Sequence, residues 1–213
     1  TSHAQILRAV NAVFMYLEKP MLKKNPLDAL KILIATPNHM RPYFLNLIQQ
    51  EIKKNKNSKQ GQMIIKLNSL VDIALIEKLY DAAKEGVPVH LIIRGICCAL
   101  TELSAFKKPI HALSIVDQYL EHARVFIFGT GKNAKTFISS ADWMVRNLDH
   151  RIEIACPILD PLIAEELQDI LTIQLQENVK GRILDNEQVN TYVLPAQKAK
   201  KLRSQTETYT YLS

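Results

Sequence analysis

Residues 119–153 read YLEHARVFIFGTGKNAKTFISSADWMVRNLDHRIE. Two short runs within it, Arg124–Phe128 (RVFIF) and Lys135–Ser139 (KTFIS), are rich in β-branched and aromatic residues. Between them Gly129-Thr130-Gly131-Lys132-Asn133 is turn material. The stretch therefore predicts an antiparallel hairpin. If Phe128 pairs with Ala134 or Lys135, Arg124 falls near Ser139, and His122 near Ser140 or Ala141. His122 and Arg124 are two residues apart and would share a sheet face, as would Arg151 and Glu153 at the start of a third run, RIEIACPI. His122, Arg124, Arg146, Arg151, Ser139, Ser140, Asp142 and Glu153 then gather around one hairpin. Imidazole, guanidinium, hydroxyl and carboxylate groups in one place suit the handling of phosphate. The plain alternative is a solvated sheet edge with scattered charges.

Working outward, Ile6–Leu17 has the spacing of an amphipathic helix, with Ile6, Val10, Val13, Phe14 and Leu17 on one stripe. Pro20 and Pro26 break the segment after it. Lys31–Thr36 (KILIAT), Met63–Leu67 (MIIKL) and Val89–Ile93 (VHLII) read as strands. Helices are predicted from about Arg41 to Lys54, and from the Asn68–Asp72 cap to Glu85, where Gly86 stops the second. Asn55–Gln60 reads as a polar loop and Phe106–Leu113 as a connection. Asp160-Pro161 opens a helix to about Gln176, with Leu162, Ile163, Leu167, Ile170, Leu171 and Leu175 on its stripe. Lys198–Leu212 reads as a terminal helix with basic character. Alternating strands and helices predict an α/β fold with a largely parallel central sheet, which the hairpin and RIEIACPI extend into a mixed one. The domain reading is a linking helix and connection over 1–30, then one α/β domain over 31–213 that includes the basic terminal helix. No internal repeat or low-complexity segment is seen.

The 213 residues suffice for a real core, and 47% of them are hydrophobic. No apolar stretch is long enough for a bilayer-spanning helix, and the start, Thr1-Ser2-His3-Ala4, lacks the pattern of a signal peptide. Beginning without Met, the chain reads as a fragment. Three cysteines, Cys97, Cys98 and Cys156, lack zinc-ligand spacing and predict a reduced, cytoplasmic compartment. The net charge of +6 leans towards a polyanionic partner. Lys53, Lys54, Lys56 and Lys59 read as a solubilising cluster. Lys198, Lys200, Lys201 and Arg203 could line an anion path.

In open α/β sheets ligands bind beyond the carboxyl ends of strands. Arg94 follows the VHLII strand directly and is placed there for two-point phosphate binding, with a structural ion pair as the alternative. Asn68 follows MIIKL and reads as a helix cap. Among the histidines, His90 reads as a satisfied core residue, and His3, His39 and His111 as loop or helix-end residues. Trp143 reads as packing the turn.

The hairpin resembles the second half of a phospholipase D-type site. In that superfamily a His and a Lys two residues on precede a Gly-Ser-x-Asn segment and a later Glu. Here Arg124 holds the Lys position, Ser139-Ser140-Ala141-Asp142 stands for Gly-Ser-x-Asn, and Glu153 matches the later Glu. The usual Asp five residues after the Lys would fall at Gly129 and is absent. These departures weigh against phosphodiester hydrolysis.

Almost the whole chain is similar to the C-terminal part of the bacterial polyphosphate kinases with a phospholipase D-like core. The segments are Lys66–Asp72, Ile93–Cys98, Ser114–Asp117, Tyr119–His122, Ser139–Met144 and Asn178–Lys180, with the basic C-terminus. The resemblance implies reversible transfer of the terminal phosphate of ATP to inorganic polyphosphate, with Mg²⁺ accompanying the nucleotide. It implies two phospholipase D-like halves sharing one site, the phosphorylated His lying in a half absent from this chain. His122 then takes the second-half role, touching nucleotide phosphate or acting as general acid/base, and Glu153 orients it. Arg94 and Arg151 match residues that bind ATP phosphates, and Arg124 and Ser140 join the phosphate-binding set. No resident metal ligand and no nucleic-acid partner are implied. The longer enzyme is expected to be a homo-oligomer in the cytoplasm, with room for peripheral association with a membrane. A phospholipase D-type phosphodiesterase and a non-catalytic polyanion-binding module are the competing readings.

Overall fold

Met63, Ile65 and Leu67 alternate with Ile64 and Lys66 along one strand, and all five are buried. A strand hidden on both faces needs cover on both. In the computed structural model, which describes residues 1–18, 25–195 and 200–213, that cover comes from helices on either side of one sheet. In chain order the strands are β1 (Ile34–Ala35), β2 (Met63–Leu67), β3 (Val89–Ile93), β4 (His111–Ile115), β5 (Arg124–Phe128), β6 (Lys135–Ser139), β7 (Ile154–Pro157) and β8 (Gly181–Ile183). The helices are α1 (Ala4–Glu18), α2 (Met40–Ser58), α3 (Ile73–Lys84), α4 (Val145–His150), α5 (Pro161–Leu175) and α6 (Ser204–Leu212). The sheet order is β1-β7-β6-β5-β2-β3-β4-β8. Met63, Ile65 and Leu67 join Phe44 and Ile48 of α2 and Leu75 and Leu79 of α3 in the main core. Ile64 joins Ile92, Leu113, Val125, Ile127 and Leu171 of α5 in a smaller core on the other face.

The α/β class and the mixed sheet are as expected, but the sheet is not largely parallel. Among the described strands only β2–β3 and β3–β4 are parallel pairs. β5 enters beside β2 in the opposite direction, Met63 facing Phe128. A buried central strand needs a partner on both flanks, and the apolar RVFIF run supplies the second one. KILIAT contributes only Ile34–Ala35, at the far edge, antiparallel to β7. β4 lies largely where a connection was expected. HALSI has a short, mixed composition with little β signal, and three-residue β8 is too short to show a period. The hairpin has the anticipated register, Phe128 to Lys135 and Arg124 to Ser139. Gly129 and Gly131 take positive φ in its turn, 91° and 57°, which glycine does without steric cost.

Three helix boundaries differ from expectation. α2 runs on to Ser58 through the supposed polar loop, because Asn55 is buried and its amide donates to the Glu85 carbonyl at 3.0 Å. The cap of α3 is Asp72, which accepts from Leu75 N–H, and not Asn68. α6 begins at Ser204, and its sequence SQTETYTYL holds no lysine or arginine. The basic residues therefore precede the helix; Lys198 lies outside the described residues, as does Pro20. The α1 stripe is mostly uncovered: Ala9 and Val13 are buried, while Phe14 is 60% exposed. His90 is not a satisfied core residue either. Its Nδ1 lacks a hydrogen-bond partner, and its ring sits 5.6 Å from that of His111, which belongs to β4 rather than to a loop. Among the described residues no helix is long and apolar enough to cross a membrane.

Candidate functional site

Leu67 pairs with Ile93, and Lys66 with Val125 on the other side, so β2 and β3 end where β5 begins. Asn68, Arg94 and Arg124 therefore meet at one end of the sheet. Backbone hydrogen bonds weld the loops there into a plate. Gly95 N–H donates to Asn68 O at 2.8 Å, and Val71 and Asp72 N–H both donate to Trp143 O at 2.8 Å. Leu70 bridges to both Cys97 and Trp143. Trp143 is fully buried and stacks on Phe126 at 5.4 Å, so it packs the turn as its sequence context suggests.

Asp142 is the joint of this plate. Its Oδ1 accepts from Asn68 N–H at 2.8 Å, from Ser69 N–H at 3.1 Å and from Arg124 Nε at 3.2 Å. Its Oδ2 accepts from Arg124 Nη2 at 2.9 Å. Burial alone would push the Asp142 carboxyl up; the guanidinium and the two backbone donors more than offset it, leaving it below the usual value. Arg124 is thus held inside a largely buried ion pair, and its Nη1 donates to His122 O at 3.1 Å. Arg124, expected in the phosphate-binding set, has Nε and Nη2 engaged by Asp142. Where the phospholipase D pattern has a neutral Asn, this chain has a carboxylate, and the carboxylate holds the cation.

Glu153 is buried and likewise engaged. The Ser140 hydroxyl donates to one of its oxygens, and Asn147 Nδ2 donates to the other at 2.7 Å. Ser140 Oγ also accepts from Ile154 N–H at 3.1 Å. Glu153 makes no hydrogen bond to His122, the residue it was expected to orient; Ser140 and Asn147 each donate to one of its carboxylate oxygens. The Glu153 backbone is fixed in turn, its N–H donating to Thr36 Oγ1 at 2.7 Å.

His122 and Arg151 are exposed, and neither side chain has a hydrogen-bond or ion-pair partner among the described residues. Arg94 is half-buried, and its Nη1 donates to the Glu121 carbonyl at 2.9 Å. Arg94 also lines a cleft of about 680 Å³ with Gly95, Ser114, Arg182 and Asn190. That cleft touches the plate only through the 94–99 loop; His122, Arg151 and Glu153 stand outside it. Asn68 is buried, with neither amide atom hydrogen-bonded.

The sequence reading missed a polar hub beneath His122. Glu121 Oε2 accepts from buried Lys66 and, at 2.8 Å, from Gln174 Nε2; Lys66 also donates to Gln174 Oε1 at 2.7 Å. Burial draws the Lys66 ammonium down from its ordinary value, against the pull of Glu121 upward, and nearby Arg94 adds to the lowering. The signal was present: a lone lysine inside MIIKL, a strand apolar on both faces, demands a buried partner. Its partner is distant in sequence, and nothing local names it. Arg203, in the basic cluster that could line an anion path, is paired with Asp117, Nε to Oδ2 at 2.7 Å and Nη2 to Oδ1 at 2.6 Å. Lys200 lies 3.4 Å from Glu207.

The chain is similar to known proteins along its whole length. A family model described as polyphosphate kinase C-terminal domain 2 matches residues 33–205. The polyphosphate kinases of Klebsiella pneumoniae and of Escherichia coli strain K12 are each 39% identical to it over 212 residues, a match that covers all of this chain and 30% of each relative. The crystal structure of polyphosphate kinase from Porphyromonas gingivalis superposes with a TM-score of 0.91 at 38% identity, covering 100% of this chain and 32% of that one. Nuc from Salmonella typhimurium, a phospholipase D family member, superposes with a TM-score of 0.53 at 16% identity over 72% of this chain and 97% of its own, a likeness of fold alone. The chain thus spans about a third of the length of these polyphosphate kinases. Its fold is α/β and phospholipase D-like, and it belongs to the polyphosphate kinase C-terminal domain 2 family.

Proposed function

We propose that this chain supplies the second catalytic half of a polyphosphate kinase. The enzyme would transfer the terminal phosphate of ATP reversibly to an inorganic polyphosphate chain. The observation that carries the reading is an imidazole, His122, exposed and without a side-chain partner among the described residues, whose backbone carbonyl accepts from Arg124 of the buried Arg124–Asp142 pair. Arg94 and Arg151 are the guanidiniums offered to phosphate. In the forward reaction the bond between the γ-phosphorus and the β–γ bridging oxygen breaks. A bond forms to an imidazole nitrogen on the other half, and ADP departs. His122 contacts the phosphates or manages the proton at the leaving oxygen. A terminal oxygen of polyphosphate then displaces the imidazole from phosphorus.

Such a transfer asks a protein mainly for positioning and for charge complementary to the equatorial oxygens. Arg94 and Arg151 answer that need. Arg124 and Asp142, and Ser140 with Glu153, build the ledge beside which His122 stands. The described residues contain no group of three or more His, Cys, Asp or Glu side chains that could hold a metal. On this reading Mg²⁺ arrives with ATP, bound to the nucleotide's phosphate oxygens, which suit this hard cation. On this reading 31–213 is the catalytic domain and 1–30 its linking segment, and the longer enzyme works in the cytoplasm as a homo-oligomer.

The test is His122→Ala in the full-length enzyme, with ATP-dependent polyphosphate formation as readout. Activity should collapse, while residues 1–213 carrying the same change keep the buried-indole fluorescence of Trp143. Wild-type activity in that variant contradicts the role given to His122.

A further inference from the structure

Residues 116–123 cross from the end of β4 to the start of β5 and carry His122. Apolar packing does little to hold this strap. Val116, Tyr119 and Leu120 along it are all well exposed. It is held by polar ties, and most come from the far end of the chain. Arg203, just before α6, grips Asp117 with two hydrogen bonds. Gln205, in the first turn of α6, brackets Tyr119: its Nε2 donates to Tyr119 O at 2.8 Å, and its Oε1 accepts from Tyr119 N–H at 3.0 Å. The same Nε2 donates to Glu121 Oε1 at 3.0 Å, opposite the Lys66 and Gln174 contacts of that carboxylate.

The clamp has its own foundation. Glu177 is buried and collects three backbone N–H groups, Val179 and Lys180 on one oxygen and Ser204 on the other. Leu202 N–H donates to Asn178 Oδ1 at 2.8 Å, and Tyr211 hydroxyl to Asp169 of α5 at 2.8 Å. A side chain exposed and without partners of its own takes its place from the backbone that bears it. A displacement of about 1 Å in a reacting group can cost on the order of a hundredfold in rate.

We propose that Arg203 and Gln205 are positioning residues, and that the start of α6 sets where His122 stands by clamping the strap before it. The inference rests on the catalytic reading of His122. A further consequence is that the C-terminal helix, about 80 residues downstream, belongs functionally to the site.

The test uses the full-length enzyme with Gln205→Ala, Arg203→Ala, Arg203→Lys, His122→Ala and the double variant His122→Ala/Gln205→Ala. Gln205→Ala should lower kcat roughly tenfold or more, with the KM for ATP and the thermal midpoint little changed. Arg203→Lys should keep more activity than Arg203→Ala, since one donor and the charge survive. Gln205→Ala should take nothing further from the residual rate of His122→Ala, because it acts through that residue. Wild-type kcat in Gln205→Ala alongside an inactive His122→Ala overturns the clamp and leaves the role of His122 standing. Full activity in His122→Ala overturns the role of His122 itself. An additive loss in the double variant, or a kcat loss explained by a fall in thermal midpoint, overturns positioning in favour of a purely structural contribution.

Discussion

Arg124 and Asp142 grip each other at two points, Nε to Oδ1 at 3.2 Å and Nη2 to Oδ2 at 2.9 Å, with only 12% and 6% of their side chains exposed. The pair stitches β5 to the loop after β6, and through the backbone N–H groups of Asn68 and Ser69 it reaches the end of β2. Removing the cation would leave a buried carboxylate with only backbone donors. Arg124→Ala is expected to lower the unfolding free energy by about 3–5 kcal/mol, and Arg124→Lys by less. Urea unfolding followed through Trp143, the single tryptophan, checks this. Unchanged stability in Arg124→Ala would show that the pair is dispensable.

The same carboxylate gives a pH signature. Asp142 has a lower pKa folded than unfolded, so the unfolded chain binds more protons in the window below its ordinary value of 3.8. Its contribution is complete above that value and is lost as pH falls through the lowered one. Unfolding free energy should therefore drop on acidification below about pH 4. The drop should be shallower in Asp142→Asn, which has no such proton to gain. Equal acid slopes in the two proteins would contradict the assignment.

Much of this architecture could be read from the chain in advance. Strong local signals carried through: the hairpin register, fixed by two glycines and two β-rich runs; the α5 cap at Asp160; the placement of Arg94 at a strand end. What stayed hidden was set by partners far away in sequence. The direction of β5 against β2 follows from burial of a strand whose second neighbour is not adjacent in the chain. Arg124 looked like a ligand because local sequence shows its charge and not its pairing with Asp142. Glu153 looked like a partner for His122 because both belong to one motif, while Ser140 and Asn147 satisfy it. Arg203 and Asp117 are 86 residues apart, beyond any periodicity.

The guanidiniums of Arg94 and Arg151 should behave unlike that of Arg124. Arg151 has no partner among the described residues, and Arg94 donates only to a backbone carbonyl. Their removal should cost little stability. If they stabilise transferring phosphate in the full-length enzyme, Arg94→Ala and Arg151→Ala should each lower kcat by about 10²–10³-fold. Steady-state kinetics with ATP and polyphosphate primer decides this; near-normal kcat in both would remove them from the site.

The cysteines offer a check on the 94–99 loop. Cys98 is exposed, whereas burial pushes the thiols of Cys97 and Cys156 up, lowering their thiolate fractions. A water-soluble disulfide reagent at neutral pH should modify one thiol quickly and two slowly, and Cys98→Ser should abolish the fast phase. A fast phase surviving that change would come from Cys97 or Cys156 and contradict the burial assigned to them.

The central claim is that His122 and its guanidiniums form half of a shared site. ATP-dependent polyphosphate synthesis, measured for residues 1–213 alone and for the full-length enzyme under the same conditions, tests it most directly. Synthesis is predicted in the full-length enzyme, with none by the isolated chain, because on the proposed reading the histidine that is phosphorylated lies outside residues 1–213. Robust synthesis by the isolated chain would contradict it.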